Sequence, residues 1–189
     1  DPVLPSQRYA DGVARGDWLQ DPAQLPALAE LDRIHAVVTA PAQASGLLAR
    51  VFGRETAEAI PGLYLWGGVG RGKTFLIDLF HDGLPTAGKR RTHFHRFMRE
   101  VHAGLREHAG ERDPLAAIAR QWRASLRVLV LDEFFVSDIG DAMLLGRLLE
   151  HLFAQGIVLV TSSNAAPSQL YKDGLQRVRF LPAIALIER

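Results

Sequence analysis

A glycine-rich run at residues 67–74, GGVGRGKT, constrains this chain of 189 residues more than any other part of its sequence. The run fits the pattern G-x-x-x-x-G-K-S/T and follows the apolar, strand-like stretch at 63–66. Glycines let the backbone curl so that successive N–H groups point at phosphate oxygens, and the helix that follows adds the positive end of its dipole. The spacing therefore predicts a strand, a phosphate-binding loop and a helix that together hold ATP or GTP.

Two side chains at the end of this run have predicted roles. Lys73 should reach the β- and γ-phosphates, and the hydroxyl of Thr74 should bind the Mg²⁺ that bridges them. A glycine turn that matches the pattern by accident is the alternative, and the flanking strand and apolar helix argue against it. The residues expected to bind the nucleotide are Gly67, Gly68, Val69, Gly70, Arg71, Gly72, Lys73 and Thr74.

A second apolar strand, RVLVLDE at 127–133, ends in two carboxylates. The carboxyl edge of a parallel sheet is where ligands bind, so these groups are expected in the site. We expect Asp132 to hold the Mg²⁺ shell through water, and Glu133 to orient or deprotonate the water that attacks the γ-phosphate. A strand that simply ends at a polar loop is the alternative, which an intact phosphate loop upstream disfavours.

From residue 63 onward, strands and helices alternate, which is typical of a parallel sheet covered on both faces. Strands are predicted at 63–66, 91–97, 128–132 and 157–161, and helices at 73–82, 98–108, 114–122 and 141–153, with a short helical turn at 167–171. Residues 1–60 are predicted to form a helical extension, with one apolar face at Leu25, Leu28, Leu31 and Ile34 and another at Leu47, Leu48, Val51 and Phe52. The chain is therefore predicted to be an α/β P-loop NTPase whose nucleotide-binding core spans 61–189.

The strand at 157–161 is followed by Ser162, Ser163 and Asn164. The amide of Asn164 could hydrogen-bond the attacking water or the γ-phosphate, whereas an asparagine that merely forms a turn is the alternative. The order of these elements along the chain favours the first interpretation. One strand lies between the phosphate-binding loop and the strand that ends in two carboxylates, and a polar residue follows the next strand. This order is typical of the additional-strand class of P-loop ATPases.

Composition narrows the function classes. A hydrophobic content of 48% is enough for a proper core, and no apolar run approaches the ~18 residues that span a bilayer. The absence of cysteine excludes disulfides and thiol catalysis, and a net charge of +1 gives no overall attraction to nucleic acid. The chain starts without Met and stops without a closing pattern, so we expect a fragment of a longer protein.

The basic segment at 89–96 has several interpretations. Residues 89–91 are predicted to form a solvated loop, with binding of an anionic partner as the alternative. His93 and His95 are predicted to share one face of a strand, where a structural, hydrogen-bonded role is favoured over a metal site or contact with a partner or nucleotide.

Four segments carry a wider resemblance: LYLWGGVGRGKT at 63–74, KRRTHFHRFM at 89–98, DEFFVSDIGDAM at 132–143 and LYKDGLQRVRFLP at 170–182. In them the chain resembles the ZapE-type AAA+ ATPases, bacterial cell-division ATPases with mitochondrial AFG1-like relatives implicated in protein quality control. The resemblance implies an ATP-hydrolysing, Mg²⁺-dependent homo-oligomeric ring, cytoplasmic or peripherally membrane-associated, that acts on polymers of the tubulin-like protein FtsZ. A helicase-loader-like ATPase that binds nucleic acid or another ATPase stays open, since that class shares the same core.

The resemblance also implies roles for single residues. It makes Asp132 and Glu133 the Walker B pair, Asn164 sensor 1, and Arg177 the arginine finger, with Arg179 as second candidate. The chain is expected to stop before the helical lid that family members carry. The segment after the second strand faces the channel of AAA+ rings, which would place Phe97 and Met98, followed by Arg99, near the axis, where they would grip polypeptide. Burial of Phe97 and Met98 in the core is favoured over this hypothesis, because residues at a strand end and a helix start more often belong to the core.

Overall fold

The computed structural model of the chain describes residues 3–39, 60–66 and 71–170. Two helices, α1 (Pro5–Arg15) and α2 (Leu25–Thr39), precede the sheet and are joined through a short 3₁₀ turn at Pro22–Gln24. The second apolar face predicted for the extension, at 47–52, lies outside the described residues. Within the described ranges, no helix combines the length and the apolar character that crossing a bilayer requires.

The described strands form one parallel sheet in the order β1-β4-β3-β2. The strands are β1 (Leu63–Trp66), β2 (Lys89–His93), β3 (Val128–Asp132) and β4 (Val158–Ser163). Every residue of β4 is buried, and so is every residue of β3 before Asp132, as expected for a sheet covered on both faces. Since all strands run in the same direction, their carboxyl ends lie at one edge of the sheet.

Helices cover both faces of this sheet. The structure has α3 (Arg71–Asp82), α4 (Phe94–Glu107), α5 (Pro114–Arg123) and α6 (Ile139–Ala154), followed by a 3₁₀ turn at Pro167–Gln169. Along β3, Val128 and Val130 pack in one core cluster with α2 and α3, whereas Leu129 and Leu131 pack in the other with α4, α5 and α6. The alternation is the two-residue period of a strand, and the predicted fold class is confirmed.

The structure corrects the second predicted strand. β2 ends at His93, and α4 begins at Phe94 instead of continuing as strand to residue 97. The reason is the helical spacing of Phe94, Phe97, Met98 and Val101, all of which are buried. His93 and His95 therefore do not share a strand face. The hypothesis that Phe97 and Met98 line a channel is wrong, and the favoured interpretation is confirmed, because each side chain is only 1% exposed and belongs to the core.

The prediction of a solvated loop at residues 89–91 is also wrong. These residues form β2, and each has an intramolecular partner. Lys89 Nζ donates to the carbonyl oxygen of His81 at 2.7 Å, Arg90 pairs with Glu100, and Arg91 pairs with carboxylates on two other elements. The basic run is thus committed to contacts within the fold.

The amino-terminal helices share a core with the α/β part of the chain. Leu28, Leu31 and Ile34 of α2 are buried as predicted, but Leu25 is exposed. The three buried residues belong to the cluster that contains Ile77 and Phe80 of α3. The ring of Trp18 lies edge-on to that of Phe75, with centroids 4.9 Å apart. Burying the apolar face of α3 therefore depends on α2 and the segment before it.

We expect Leu31→Ala to lower the free energy of unfolding by about 2–5 kcal/mol, because Leu31 is 0% exposed and its removal leaves a cavity between α2 and α3. Urea denaturation measures the change. Leu19→Ala is the control, since Leu19 is 91% exposed, and it should stay within about 0.5 kcal/mol of the parent. Equal effects of the two substitutions would contradict the packing described here.

Candidate functional site

Lys73 lies in the first turn of α3 and reaches the carboxyl end of β4. Its Nζ donates to the backbone carbonyl oxygen of Ser163 at 3.0 Å and to Oδ1 of Asn164 at 3.1 Å. The pairing of β1 with β4 explains this contact, because Trp66 and Ser163 are register partners and the chain returns from β1 into α3 at the same edge. Two residues that are 91 positions apart in sequence are thus brought together.

Polar side chains of β4 connect its end to the end of β3. The hydroxyl of Thr161 donates to the carbonyl oxygen of Leu131 at 2.8 Å, and the hydroxyl of Ser163 donates to that of Phe134 at 2.6 Å. The backbone N–H of Phe134 in turn donates to the carbonyl oxygen of Ser162 at 2.8 Å. These bonds hold the segment that carries Asp132 and Glu133 against the segment that carries Asn164.

Tyr64 of β1 fixes the chain just beyond Asn164. Its hydroxyl donates to the carbonyl oxygen of Ala165 at 2.7 Å, and burial raises the pKa of this phenol above its ordinary value. A neutral phenol is the form that donates this hydrogen bond. The turn after β4 is therefore tied to the strand that leads into the phosphate loop.

Asp132 ends β3 and is paired with an arginine of β2. Arg91 Nε donates to Asp132 Oδ2 at 2.7 Å and Nη2 donates to Oδ1 at 3.2 Å, while Nη1 pairs with Asp78 of α3. The hydrogen bonds to Asp132 raise the pKa of the Arg91 guanidinium, so it stays charged. Sequence reasoning missed this role of Arg91. A charged residue within a strand of a covered sheet was the available signal, because such a charge requires a partner.

Glu133 follows β3 in an unusual backbone conformation. Its φ is 54°, in the left-handed region that residues other than glycine seldom adopt. Its side chain is 79% exposed, with Oε2 lying 3.5 Å from Nδ1 of His93 at the end of β2. The turn thus directs this carboxylate into solvent at the same edge of the sheet as Lys73 and Asn164.

The donor set at this edge fits Mg²⁺. Thr74 is exposed in the first turn of α3, directly after Lys73. The side chain of Asp132 is 14% exposed. Mg²⁺ takes one or two protein oxygens and completes its shell with phosphates and water. In the part of the chain that the structure describes, no group of three or more His, Asp or Glu could hold a metal by itself. The hydroxyl of Thr74 and the carboxylate of Asp132 would fit a metal whose shell a nucleotide and water complete.

The structure places part of the predicted site. Gly72, Lys73 and Thr74 lie in α3, and Asp132, Glu133 and Asn164 lie at the ends of β3 and β4. Arg71 begins α3. The remaining predicted residues lie outside the described ranges: Gly67, Gly68, Val69, Gly70, Arg177 and Arg179. The roles assigned to all of these residues stay predictions.

Solved structures with a similar fold include nucleotide-binding proteins. The chain matches the crystal structure of DnaI with a TM-score of 0.58 and 19% identity, covering 90% of this chain and 83% of that one. It matches AMPPCP-bound DnaA from Aquifex aeolicus with a TM-score of 0.56 and 13% identity, covering 92% of this chain and 46% of that one. At these identities the likeness is one of fold.

Sequence comparisons are more specific. Cell division protein ZapE of Escherichia coli K12 is 50% identical over 197 residues, which cover 99% of this chain and 52% of that protein. Lactation elevated protein 1 homolog B of Danio rerio is 40% identical over 138 residues, covering 67% of this chain and 27% of that protein. The chain thus spans about half the length of ZapE. The family model for AFG1-like ATPases matches residues 3–189, and the chain belongs to the AFG1-like ATPase family.

Proposed function

We propose that this chain is the nucleotide-hydrolysing core of a Mg²⁺-dependent AAA+ ATPase that remodels a protein partner in cell division. The observation that carries the proposal is the contact of Lys73 Nζ with Asn164 Oδ1 at 3.1 Å. An ammonium and an amide that meet at the carboxyl edge of a parallel sheet, near Asp132 and Glu133, are the groups that a triphosphate and an attacking water require.

Each residue of the proposed site would have a role that follows from its chemistry. The backbone of residues 67–74 would surround the phosphates, and Lys73 would exchange its contact with the Ser163 carbonyl for the β- and γ-phosphates. Asn164 would hydrogen-bond the γ-phosphate or the attacking water, and Glu133 would accept a proton from that water. Mg²⁺, held by Thr74 and through water by Asp132, would supply neutralisation of phosphate charge.

The backbone of Glu133 supports a functional role for its side chain. A non-glycine residue in the left-handed region costs about 1–2 kcal/mol, and the exposed side chain of Glu133 offsets little of that cost by packing. Strain of this kind persists where the surrounding structure imposes it, and here the hydrogen bond from Phe134 N–H to Ser162 imposes the turn. The turn would present the carboxylate to the water that attacks the nucleotide.

The partner is inferred from the 50% identical relative, cell division protein ZapE. We propose FtsZ polymers as the substrate, a homo-oligomeric ring as the active assembly, and the cytoplasm as its place. In such a ring Arg177 would act on the γ-phosphate bound by the neighbouring subunit. The helicase-loader-like alternative has less support, since its basis is a likeness of fold at 19% identity.

We expect Glu133→Gln to keep nucleotide binding and to lower ATP turnover at least about a hundredfold, because the amide keeps the size of the side chain but cannot accept the proton. Calorimetry with a non-hydrolysable ATP analogue and a steady-state phosphate assay measure the two quantities. Glu111→Gln, a change of the same type at an exposed site distant in sequence, is the control. Turnover within threefold of the parent in Glu133→Gln would contradict the assignment.

The left-handed backbone of Glu133 leads to a separate prediction about stability. Asparagine tolerates the left-handed region better than glutamine does, so Glu133→Asn should unfold with a free energy about 0.5–1 kcal/mol higher than Glu133→Gln. Both variants lack the carboxylate, so their difference reports the backbone and not the charge. Urea denaturation at equal salt measures it. A Glu133→Asn variant that is less stable than Glu133→Gln would argue against strain at this turn.

The choice of substrate is tested by two additions to the same ATPase assay. We expect FtsZ polymers to raise ATP turnover and to lose sedimentable mass in an ATP-dependent manner, whereas single-stranded DNA should leave turnover unchanged. Glu133→Gln should co-sediment with FtsZ in ATP without depolymerising it, since it binds but does not hydrolyse. Stimulation by DNA with no response to FtsZ would favour the helicase-loader-like alternative.

A further inference from the structure

Arg91 contacts the carboxylate at the end of β3. It lies in β2 opposite Val130 of β3, and His93 lies opposite Asp132. Side chains at alternate positions share one face, and Val130 packs in the cluster that contains α3. Arg91 and Asp132 are therefore on the face of the sheet covered by the helix that follows the phosphate loop.

The guanidinium of Arg91 contacts both carboxylates on this face. It makes two hydrogen bonds with Asp132, one to each oxygen, and pairs with Asp78 of α3. The Arg91 side chain is 22% exposed and that of Asp132 is 14% exposed, so the pair is largely shielded from water. A fork of two N–H groups on a carboxylate fixes the plane of the carboxylate, which a single bond cannot do.

This arrangement leaves Asp132 able to accept hydrogen bonds from water molecules bound to a metal. A carboxylate has about four lone-pair sites, and Arg91 uses one on each oxygen. Among contacts with the described residues, one site on each oxygen is thus left for metal-bound water. The guanidinium with its two carboxylates sums to a formal charge of −1, which still attracts a cation.

We propose that Arg91 is a positioning residue that fixes the Asp132 carboxylate for the nucleotide-bound Mg²⁺ and ties its orientation to α3 through Asp78. The inference rests on the proposed function, since it concerns the same site. Partners that orient a metal-binding carboxylate typically contribute about 10–100-fold to metal affinity. Arg91 should therefore affect nucleotide binding only when the metal is present.

Arg90 provides a matched control on the same strand. It also pairs with a carboxylate, that of Glu100, but it points away from Asp132 and its side chain is 40% exposed. Arg90→Gln and Arg91→Gln remove the same charge from adjacent positions of β2. A nonspecific effect of lost charge or of a weakened strand would appear in both variants, whereas loss of carboxylate orientation would appear only in Arg91→Gln.

The experiment measures the affinity of this chain for AMPPCP by calorimetry, once with Mg²⁺ and once with EDTA. The ratio of the affinity in Mg²⁺ to the affinity in EDTA is the Mg²⁺-dependent gain. We expect Arg91→Gln to reduce the Mg²⁺-dependent gain at least about tenfold while binding in EDTA stays within about twofold. Arg90→Gln should keep the gain of the parent. Arg91→Lys should recover only part of it, because an ammonium lacks the planar fork.

A second arm tests whether Arg91 acts through Asp132. In an Asp132→Asn background, Arg91→Gln should cause no further loss of the Mg²⁺-dependent gain, since the two residues act as one unit. Additive losses would overturn the proposal. So would an Arg91→Gln variant with a lower melting temperature but the gain of the parent, which would make Arg91 purely structural.

The remaining outcomes separate this proposal from the proposed function. If the parent shows the Mg²⁺-dependent gain and Arg91→Gln shows a larger one, Arg91 competes with the cation. That result would overturn the positioning role and leave the proposed function standing. No gain in the parent would overturn the metal-dependent function, and the role of Arg91 with it. If Arg91→Gln does not fold, Arg91→Lys decides, and a gain equal to that of the parent would overturn the requirement for a fork.

Discussion

The position of β4 between β1 and β3 is the constraint on which the rest of the structure depends. Parallel pairing on both sides of β4 brings the end of the phosphate-loop strand and the end of the carboxylate strand to one edge. Lys73 can reach Asn164 only because β4 lies next to β1. Hydroxyls of Thr161 and Ser163 then bind carbonyls of the β3 segment and hold the two ends in register.

Paired charges also connect the elements near the carboxyl edge of the sheet. Two cations, Lys73 and Arg91, and two carboxylates, Asp78 and Asp132, come from α3, β2 and β3. A charge shielded from water is costly without a partner, and Arg91, which pairs with both carboxylates, links α3, β2 and β3. Glu133 differs, because its side chain is 79% exposed. The same edge thus contains charged groups that are paired across elements and one carboxylate that faces solvent.

Much of this could be predicted from local patterns. β1 and β3 match their predicted bounds to the residue, because each is a short apolar run that ends at a polar motif. The contact between Lys73 and Asn164 also agrees with the order of parts in the sequence. The predicted bounds of β2 differ from those observed, because the helical spacing of Phe94, Phe97 and Met98 follows the strand without a break. The partners of Arg91 are 13 and 41 residues away, and no local pattern shows that they meet it.

A structure of Glu133→Gln with ATP and Mg²⁺ would test the central claim most directly. If the carboxyl edge is the hydrolysis site, Lys73 Nζ leaves the Ser163 carbonyl and lies within hydrogen-bond distance of the β- and γ-phosphates, with Asn164 at the γ-phosphate. Asp132 should keep its bonds to Arg91 while contacting the metal through water. A nucleotide bound elsewhere, with Lys73 still on Ser163 and Asn164, would contradict the account.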